Sequence, residues 1–235
     1  MPERAMIFAA GRGERLRPLT DHTPKPLLSV AGRRLAERHL DALAAAGVRE
    51  VVVNTSHLAE QFAPALGDGA RWGLTIRYCY EGAEPLETGG GMLNALRWLG
   101  DEPFILVNGD VWSDVDLAAL PPLGEDLAHL VLVPPAAGSG GDFALDGDRV
   151  RETGAARLTY AGIGVYRAAL FDDWRSAFGV DDAAADARPP RFKLAPLLRR
   201  AMRSGRIGGQ RHAGRWYDIG TPERLAAAQA ALAGG

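Results

Sequence analysis

The sequence predicts an α/β fold, a mostly parallel sheet covered by helices on both faces. Three observations carry it: apolar or β-branched runs recur through the first half, segments of helical period separate them, and glycine-rich stretches stand where runs end. Ala5 to Ala10 is the first buried strand, and a loop rich in glycine and proline follows it. Leu35 to Ala46 carries apolar residues at helical spacing and stops at Gly47. The β-branched run Val48 to Asn54 is a second strand, with a helix from about His57 to Leu66 behind it. Leu74 to Tyr80 is a third strand. Glu87-Thr88-Gly89-Gly90-Gly91 reads as a turn that feeds a helix from Met92 to Leu99. Pro103 to Asn108 is a fourth strand, and Asp110 stands just past its end. In sheets of this kind ligands bind outside the carboxyl ends of the strands, which is where the opening loop, the Gly89 turn and Asp110 would lie.

The second half is less regular. Leu127 to Val133 reads as a strand, and Gly138 to Gly141 as a flexible connection. Phe143 to Leu145, Arg149 to Glu152 and Leu158 to Tyr166 read as strands of a hairpin-rich region. Ala168 to Phe178 reads as a helix, and the acidic stretch Gly179 to Pro190 as a mobile surface loop. A helix over Leu194 to Ser204, one or two strands within Arg206 to Tyr217, and a last helix over Pro222 to Leu232 complete the chain.

At 235 residues the chain is one large domain or two small ones, and no linker divides it. A single domain over residues 1–235 is expected, with halves of about 1–112 and 113–235. A net charge of −2 leaves no basic field for nucleic acid or a membrane surface, so neither is an expected partner. Cys79 stands alone in an apolar stretch and reads as packing. No apolar run approaches the ~20 residues of a membrane span, and the first strand begins without a signal-peptide pattern, so the cytoplasm is the expected location.

The chemistry is densest between residues 9 and 27, where Gly11, Arg12, Gly13, Arg15, Arg17 and Lys25 share one loop. Glycines let backbone N–H groups approach a polyphosphate, and the cations meet its charge. Only Lys25 and Lys193 are lysines among 27 basic residues, which points to a need for a compact ammonium at Lys25. Leu16 occupies the third glycine position of a dinucleotide fingerprint, and no Gly-Lys-Ser/Thr follows, so the loop is neither a Rossmann nor a Walker phosphate motif. Asp110, in Asn108-Gly109-Asp110, and Asp218, in Trp216-Tyr217-Asp218-Ile219-Gly220-Thr221, could hold Mg²⁺ between phosphates if the fold joins them. Each could equally be a turn or cap residue, and their spacing does not pair them. Trp72, Trp98, Trp112, Trp174 and Trp216 read as packing, and the five histidines show no metal-ligand spacing.

Gly11-Arg12-Gly13-Glu14-Arg15-Leu16-Arg17-Pro18-Leu19-Thr20, with Pro24-Lys25-Pro26 downstream, resembles the signature of sugar-1-phosphate nucleotidylyltransferases. The Asn-Gly-Asp and Trp-x-Asp-x-Gly-Thr elements match that family in order, so the resemblance covers nearly the whole chain. Leu86 to Gly91, Val107 to Trp112, Gly141-Asp142-Phe143 and Phe192 to Leu198 further resemble the N-acetylmuramate 1-phosphate uridylyltransferases. The resemblance implies a Rossmann-like three-layer α/β/α nucleotidyltransferase fold, with a nucleotide-binding first half and a smaller, hairpin-rich sugar-binding portion. It also implies Mg²⁺-dependent transfer of UMP from UTP to a sugar 1-phosphate, in peptidoglycan recycling. Arg15, Lys25, Asp110 and Asp218 would be catalytic, the two aspartates binding Mg²⁺. Ala10, Gly11, Arg12 and Gly13 would lie against the nucleotide, while Glu81, Thr88 and Gly89 would face the base and ribose. Asn108, Asp142 and Gly162 would face the sugar.

Lys193 or Arg191 could meet the carboxylate of a muramyl sugar, although Lys193 could equally be exposed. Glu14 stands where many relatives carry Thr or Ser, and an acid beside a triphosphate is repulsive unless it points away or pairs with an arginine. Glu81 stands where relatives often carry Gln, and there it could accept the uracil N3–H. The chain would act as a monomer or homodimer. The alternatives are a guanylyltransferase for mannose or heptose 1-phosphate, or a silent nucleotide-sugar sensor.

Overall fold

A computed structural model describes residues 1–136, 138–178, 187 and 189–232. The first half contains β1 (Arg4–Phe8), the small ribbon β2 (Ser29–Val30) and β3 (Arg33–Arg34), α1 (Leu35–Ala45), β4 (Glu50–Thr55), α2 (Phe62–Leu66), β5 (Thr75–Tyr80), α3 (Glu87–Leu99) and β6 (Phe104–Asn108). After these come β7 (Val111–Ser113), β8 (Ala128–Val133), β9 (Phe143–Asp146), β10 (Arg149–Arg151) and β11 (Arg157–Tyr166). The last segments are α4 (Ala195–Arg203), β12 (Ile207–Arg211), β13 (Trp216–Asp218) and α5 (Pro222–Leu232).

One nine-stranded sheet spans both halves, in the order β5-β4-β1-β6-β11-β8-β12-β10-β9. The strands β5, β4, β1 and β6 are parallel, as the strand–helix alternation requires. Beyond β6 the pairings are antiparallel except β8 with β12, so the sheet is mixed and its parallel character belongs to the first half. The reason is that the second half supplies hairpins, which pair antiparallel, in place of helical crossovers.

Side chains alternate across β1: Ala5 and Ile7 join Leu40 and Leu43 of α1 in one core, while Met6 joins Met92 and Leu99 of α3 in the other. The sheet is thereby covered on both faces. A third cluster seats α5 (Leu225, Ala228) and Ile219 on Leu16 and Leu28 of the opening loop.

Two sequence expectations need correction. Glu87 to Gly91 is not a turn ahead of a helix but the first turns of α3 itself. The three glycines are there because a Cβ at Gly89, Gly90 or Gly91 would lie 2.4, 2.3 or 2.4 Å from Phe192, Pro190 or Glu81. Ala168 to Phe178 is not one helix but two 3₁₀ turns, Ala168–Phe171 and Trp174–Ala177. The Arg200 guanidinium takes the carbonyls of Leu170, Asp172 and Asp173, which a continuous helix would have used itself. Most of the stretch 179–190 lies outside the described residues. Among those residues no helix is long and apolar enough to cross a membrane.

Candidate active site

The carboxyl ends of the parallel strands open into a cavity of about 760 Å³. Phe8 ends β1, Asn54 lies at the end of β4, Glu81 follows β5 and Asn108 ends β6, and all four line it. The opening loop covers one side with Ala10, Gly11, Arg12, Gly13, Glu14, Arg15 and Lys25. That loop has a fixed path: Thr20 Oγ1 donates to the Gly13 carbonyl at 2.9 Å, and His57 Nε2 and Gln61 Nε2 bond the carbonyls of Thr20 and His22. Glu14 opens a short 3₁₀ turn with its side chain exposed, and nothing in the structure explains an acid there.

Lys25 sits in a 3₁₀ turn between Pro24 and Pro26, and its Nζ is 2.8 Å from Asp110 Oδ2. Gly109 makes that meeting possible. A Cβ there would lie 2.5 Å from the Phe8 carbonyl and 2.9 Å from Pro26 Cγ, so any other residue would push the Lys25 turn off the end of β6.

The distant Asp218 arrives through a separate antiparallel ribbon. β7 starts one residue after Asp110 and pairs with β13 so that Val111 faces Asp218, and the Ile219 N–H donates to the Asp110 carbonyl. This ribbon supplies the partnership that sequence spacing left open. Trp216 Nε1 fastens it to the main sheet by donating to the Ala161 carbonyl at 2.9 Å. Burial and the Asp110 charge raise the Asp218 pKa, while Arg224, Lys25 and Arg15 pull it down. Asp218 also pairs with Arg224, a partner that sequence reading missed because it lies on the first turn of α5. Asp218 does not itself line the cavity. Gly220 does, and a Cβ there would stand 3.0 Å from Asp218 Oδ1 and 3.1 Å from Arg15 Nη2.

Two carboxylates beside open space fit Mg²⁺, which takes one or two carboxylates and completes its shell with water and phosphate oxygens. Among the described residues no group of three or more His, Cys, Asp or Glu is placed to hold a metal by itself. Asp110 and Asp218 would therefore share such an ion with a substrate.

The opposite end is closed and polar. Glu81 is only 6% exposed; its Oε1 accepts from Asn54 Nδ2 at 2.7 Å and its Oε2 from the Leu86 N–H at 2.8 Å. Burial raises its pKa, while the Leu86 and Asn54 hydrogen bonds lower it. Thr88 lines the cavity but accepts the Leu194 N–H on Oγ1, and the Gly89 N–H is taken by the Phe192 carbonyl. Gly89 is thus buried against the 190–194 segment and does not line the cavity, contrary to expectation. Two arginines bridge the rim: Arg12 Nη2 donates to the Ala83 carbonyl at 3.3 Å, and Arg191 Nη1 to Glu84 Oε2 at 3.1 Å.

Of the residues expected to face a sugar, Asn108 lines the cavity, and Gly162 packs against the Asn108 side chain without lining it. Asp142 stands just ahead of β9, its Oδ2 accepting the Tyr160 N–H at 2.9 Å, and it does not line the cavity. Lys193 does not line it either. The Leu194 N–H is held by Thr88 and α4 starts at Ala195, which leaves Lys193 exposed outside, and Arg191 is the cation of that segment that reaches in.

The chain is similar to known proteins of one family. The nucleotidyl transferase family model matches residues 4–128. An N-acetylmuramate alpha-1-phosphate uridylyltransferase of Neisseria meningitidis is 47% identical over 98% of both chains. Another, from Caulobacter vibrioides, is 34% identical over 99% of this chain and 98% of its own. A solved structure from Bacillus anthracis assigned as a glucose-1-phosphate thymidylyltransferase shares the fold, with a TM-score of 0.80 at 18% identity over 98% of this chain and 95% of that one. The chain belongs to the nucleotidyl transferase family, as a sugar-1-phosphate nucleotidyltransferase of the group that holds the two uridylyltransferases.

Proposed function

We propose that the chain transfers UMP from UTP to N-acetylmuramate α-1-phosphate, giving the UDP-sugar and pyrophosphate, in the reuse of peptidoglycan sugars. The observation that carries this reading is the convergence of Lys25, Asp110 and Asp218 beside one cavity, in a chain alike along its whole length to enzymes named for that transfer. A phosphate oxygen of the sugar attacks the α-phosphorus, the bond from that phosphorus to the bridging oxygen breaks, and pyrophosphate leaves with that electron pair. No bond to the protein is formed. The task of the protein is to hold two polyanions in line and offset their repulsion.

Lys25, held in place by Asp110, meets charge at the α-phosphate, and Arg15, beside Asp218 across Gly220, meets it on the leaving pyrophosphate. Mg²⁺ bound by Asp110 and Asp218 would supply charge neutralisation and a fixed orientation of phosphate oxygens. Gly11 and the N–H groups of its loop receive the remaining phosphates, with Arg12 closing over them from the rim. Asn108 would face the sugar, and Arg191, which lines the same cavity, would leave Glu84 to meet a lactyl carboxylate.

A matrix of nucleoside triphosphates against sugar 1-phosphates, read by pyrophosphate release with and without Mg²⁺, tests this function. UTP with N-acetylmuramate 1-phosphate and Mg²⁺ should turn over fastest. Silence across the matrix, or faster release from GTP with mannose 1-phosphate, would overturn it.

A further inference from the structure

A chain of hydrogen bonds crosses three strand ends at the closed end of the cavity. The Ala9 N–H, where β1 runs into the phosphate loop, donates to Asn54 Oδ1 at 2.7 Å. Asn54 Nδ2 donates to Glu81 Oε1 at 2.7 Å, and Glu81 Oε2 accepts the Leu86 N–H at 2.8 Å. Asn54 is 3% exposed and Glu81 6%. The helix α3 seals the chain from behind, since a Cβ on Gly91 would lie 2.4 Å from Glu81 Oε1 and 3.0 Å from Asn54 Nδ2.

Both ends of this chain are backbone donors, which fixes its polarity. Two donors can be joined through one amide only if the remaining link accepts twice. An ionised carboxylate does that with an oxygen at each of the two positions, where an amide would set one oxygen and one NH₂. In Glu81→Gln the new side-chain carbonyl would accept from Leu86 and its NH₂ would turn toward Asn54. The Asn54 amide would then have to reverse, and its own NH₂ would face the Ala9 N–H. One buried donor is left unpaired whichever way the two amides lie. Adding Asn54→Asp restores the chain. The carboxylate then accepts both the Ala9 N–H and the introduced NH₂, and the introduced carbonyl still accepts the Leu86 N–H.

We propose that Asn54 and Glu81 are positioning residues for the nucleotide. The pair fixes the spacing between the phosphate loop, which begins at Ala9, and the 82–86 loop at the other end of the cavity. It thereby sets the register of the nucleotide against Lys25 and Asp110. Glu81 acts through the backbone it holds and not through a bond to the base. The inference rests on the uridylyl transfer proposed for this cavity.

The test compares wild type, Glu81→Gln, Asn54→Asp and the double variant Asn54→Asp/Glu81→Gln. It measures KM for UTP, CTP and N-acetylmuramate 1-phosphate, UTP affinity by calorimetry, and the unfolding midpoint. Glu81→Gln should raise KM for UTP about tenfold, the order set by one unpaired buried donor. KM for the sugar phosphate should stay within about twofold, and the preference for UTP over CTP should not change. Asn54→Asp, which sets two carboxylates against each other, should be worse than the double variant. The double variant should return UTP affinity to within about threefold of wild type.

A changed UTP-to-CTP preference in Glu81→Gln would overturn the proposal in favour of direct base contact. Equal rises in both KM values, or a double variant no better than Glu81→Gln, would overturn it as well. Should Glu81→Gln not fold, recovery of folded, UTP-binding protein in the double variant supports the proposal, and failure to recover overturns it. If wild type releases no pyrophosphate, the uridylyl transfer fails, and the calorimetric comparison still judges the pair.

Discussion

The two ends of the cavity use carboxylates in opposite ways. At the phosphate end, Asp110 and Asp218 are 33% and 26% exposed and are paired with Lys25 and Arg224. At the closed end, Glu81 is buried and accepts from amide N–H groups, with no cation paired to it among the described residues. An ion pair at the edge of open space can exchange a partner for an incoming phosphate or water. A buried carboxylate cannot release its donors without leaving them unpaired. Under the proposed function, the reactive groups stand where their pairs can open to admit phosphate and metal, and the frame that spaces them stands where pairs cannot open.

The largest expected effect separates the ends at once. Lys25→Ala should lower turnover about a thousandfold, the scale for removing a fixed cation or donor from a transition-state site. The unfolding midpoint should change little, since the ammonium is paired at the edge of open space, and thermal denaturation of the purified variant checks this. Asp218→Asn should lower turnover about a hundredfold and raise the Mg²⁺ concentration needed for half-maximal rate, read from a metal titration. A variant with normal Mg²⁺ dependence would remove Asp218 from the metal pair.

Substitutions at the closed end should instead be felt in stability. Gly91→Ala forces a methyl group against Glu81 Oε1 and should cost about 2 kcal/mol in urea unfolding, with a weaker apparent affinity for UTP.

The smallest effect is a pH dependence of stability with its origin beneath the phosphate end. His39 of α1 is buried beside the Asp110 charge and bonded to the Val111 backbone, and desolvation lowers its pKa to about 4. The folded state thus binds fewer protons at this site than the unfolded chain does. Its contribution is present above about pH 6.5 and is lost as pH falls toward about 4. Urea midpoints should fall over that interval more steeply in wild type than in His39→Gln, and parallel curves would rule out His39 as the source.

The phosphate end was legible in the sequence, and the closed end only in part: Glu81 and Thr88 were named and line the cavity, while Asn54 was not. The cations and glycines of the phosphate end crowd into one loop, and Lys25 is conspicuous in an arginine-rich chain. The partnership of Asp110 with Asp218 depended on the β7–β13 ribbon, which joins residues more than a hundred positions apart and has no periodic signature. Asn54 was invisible because a polar residue at a strand end has many uses, and its role appears only once the Ala9 and Glu81 partners are placed. The glycines of α3 misled for a physical reason. They look like a turn, yet their purpose is to let Phe192, Pro190 and Glu81 pack against a helix. Of Lys193 and Arg191, both considered from the sequence, Lys193 is exposed outside the cavity and Arg191 lines it, a choice that depends on the turn ahead of α4.

The division of labour between the two ends is tested most directly by steady-state kinetics of Lys25→Ala and Glu81→Gln side by side, with UTP and N-acetylmuramate 1-phosphate. Lys25→Ala should lose kcat with a smaller change in KM for UTP, while Glu81→Gln should keep kcat within about threefold and lose KM for UTP. If both variants lose the same parameter, the separation of a reacting end from a spacing end is wrong.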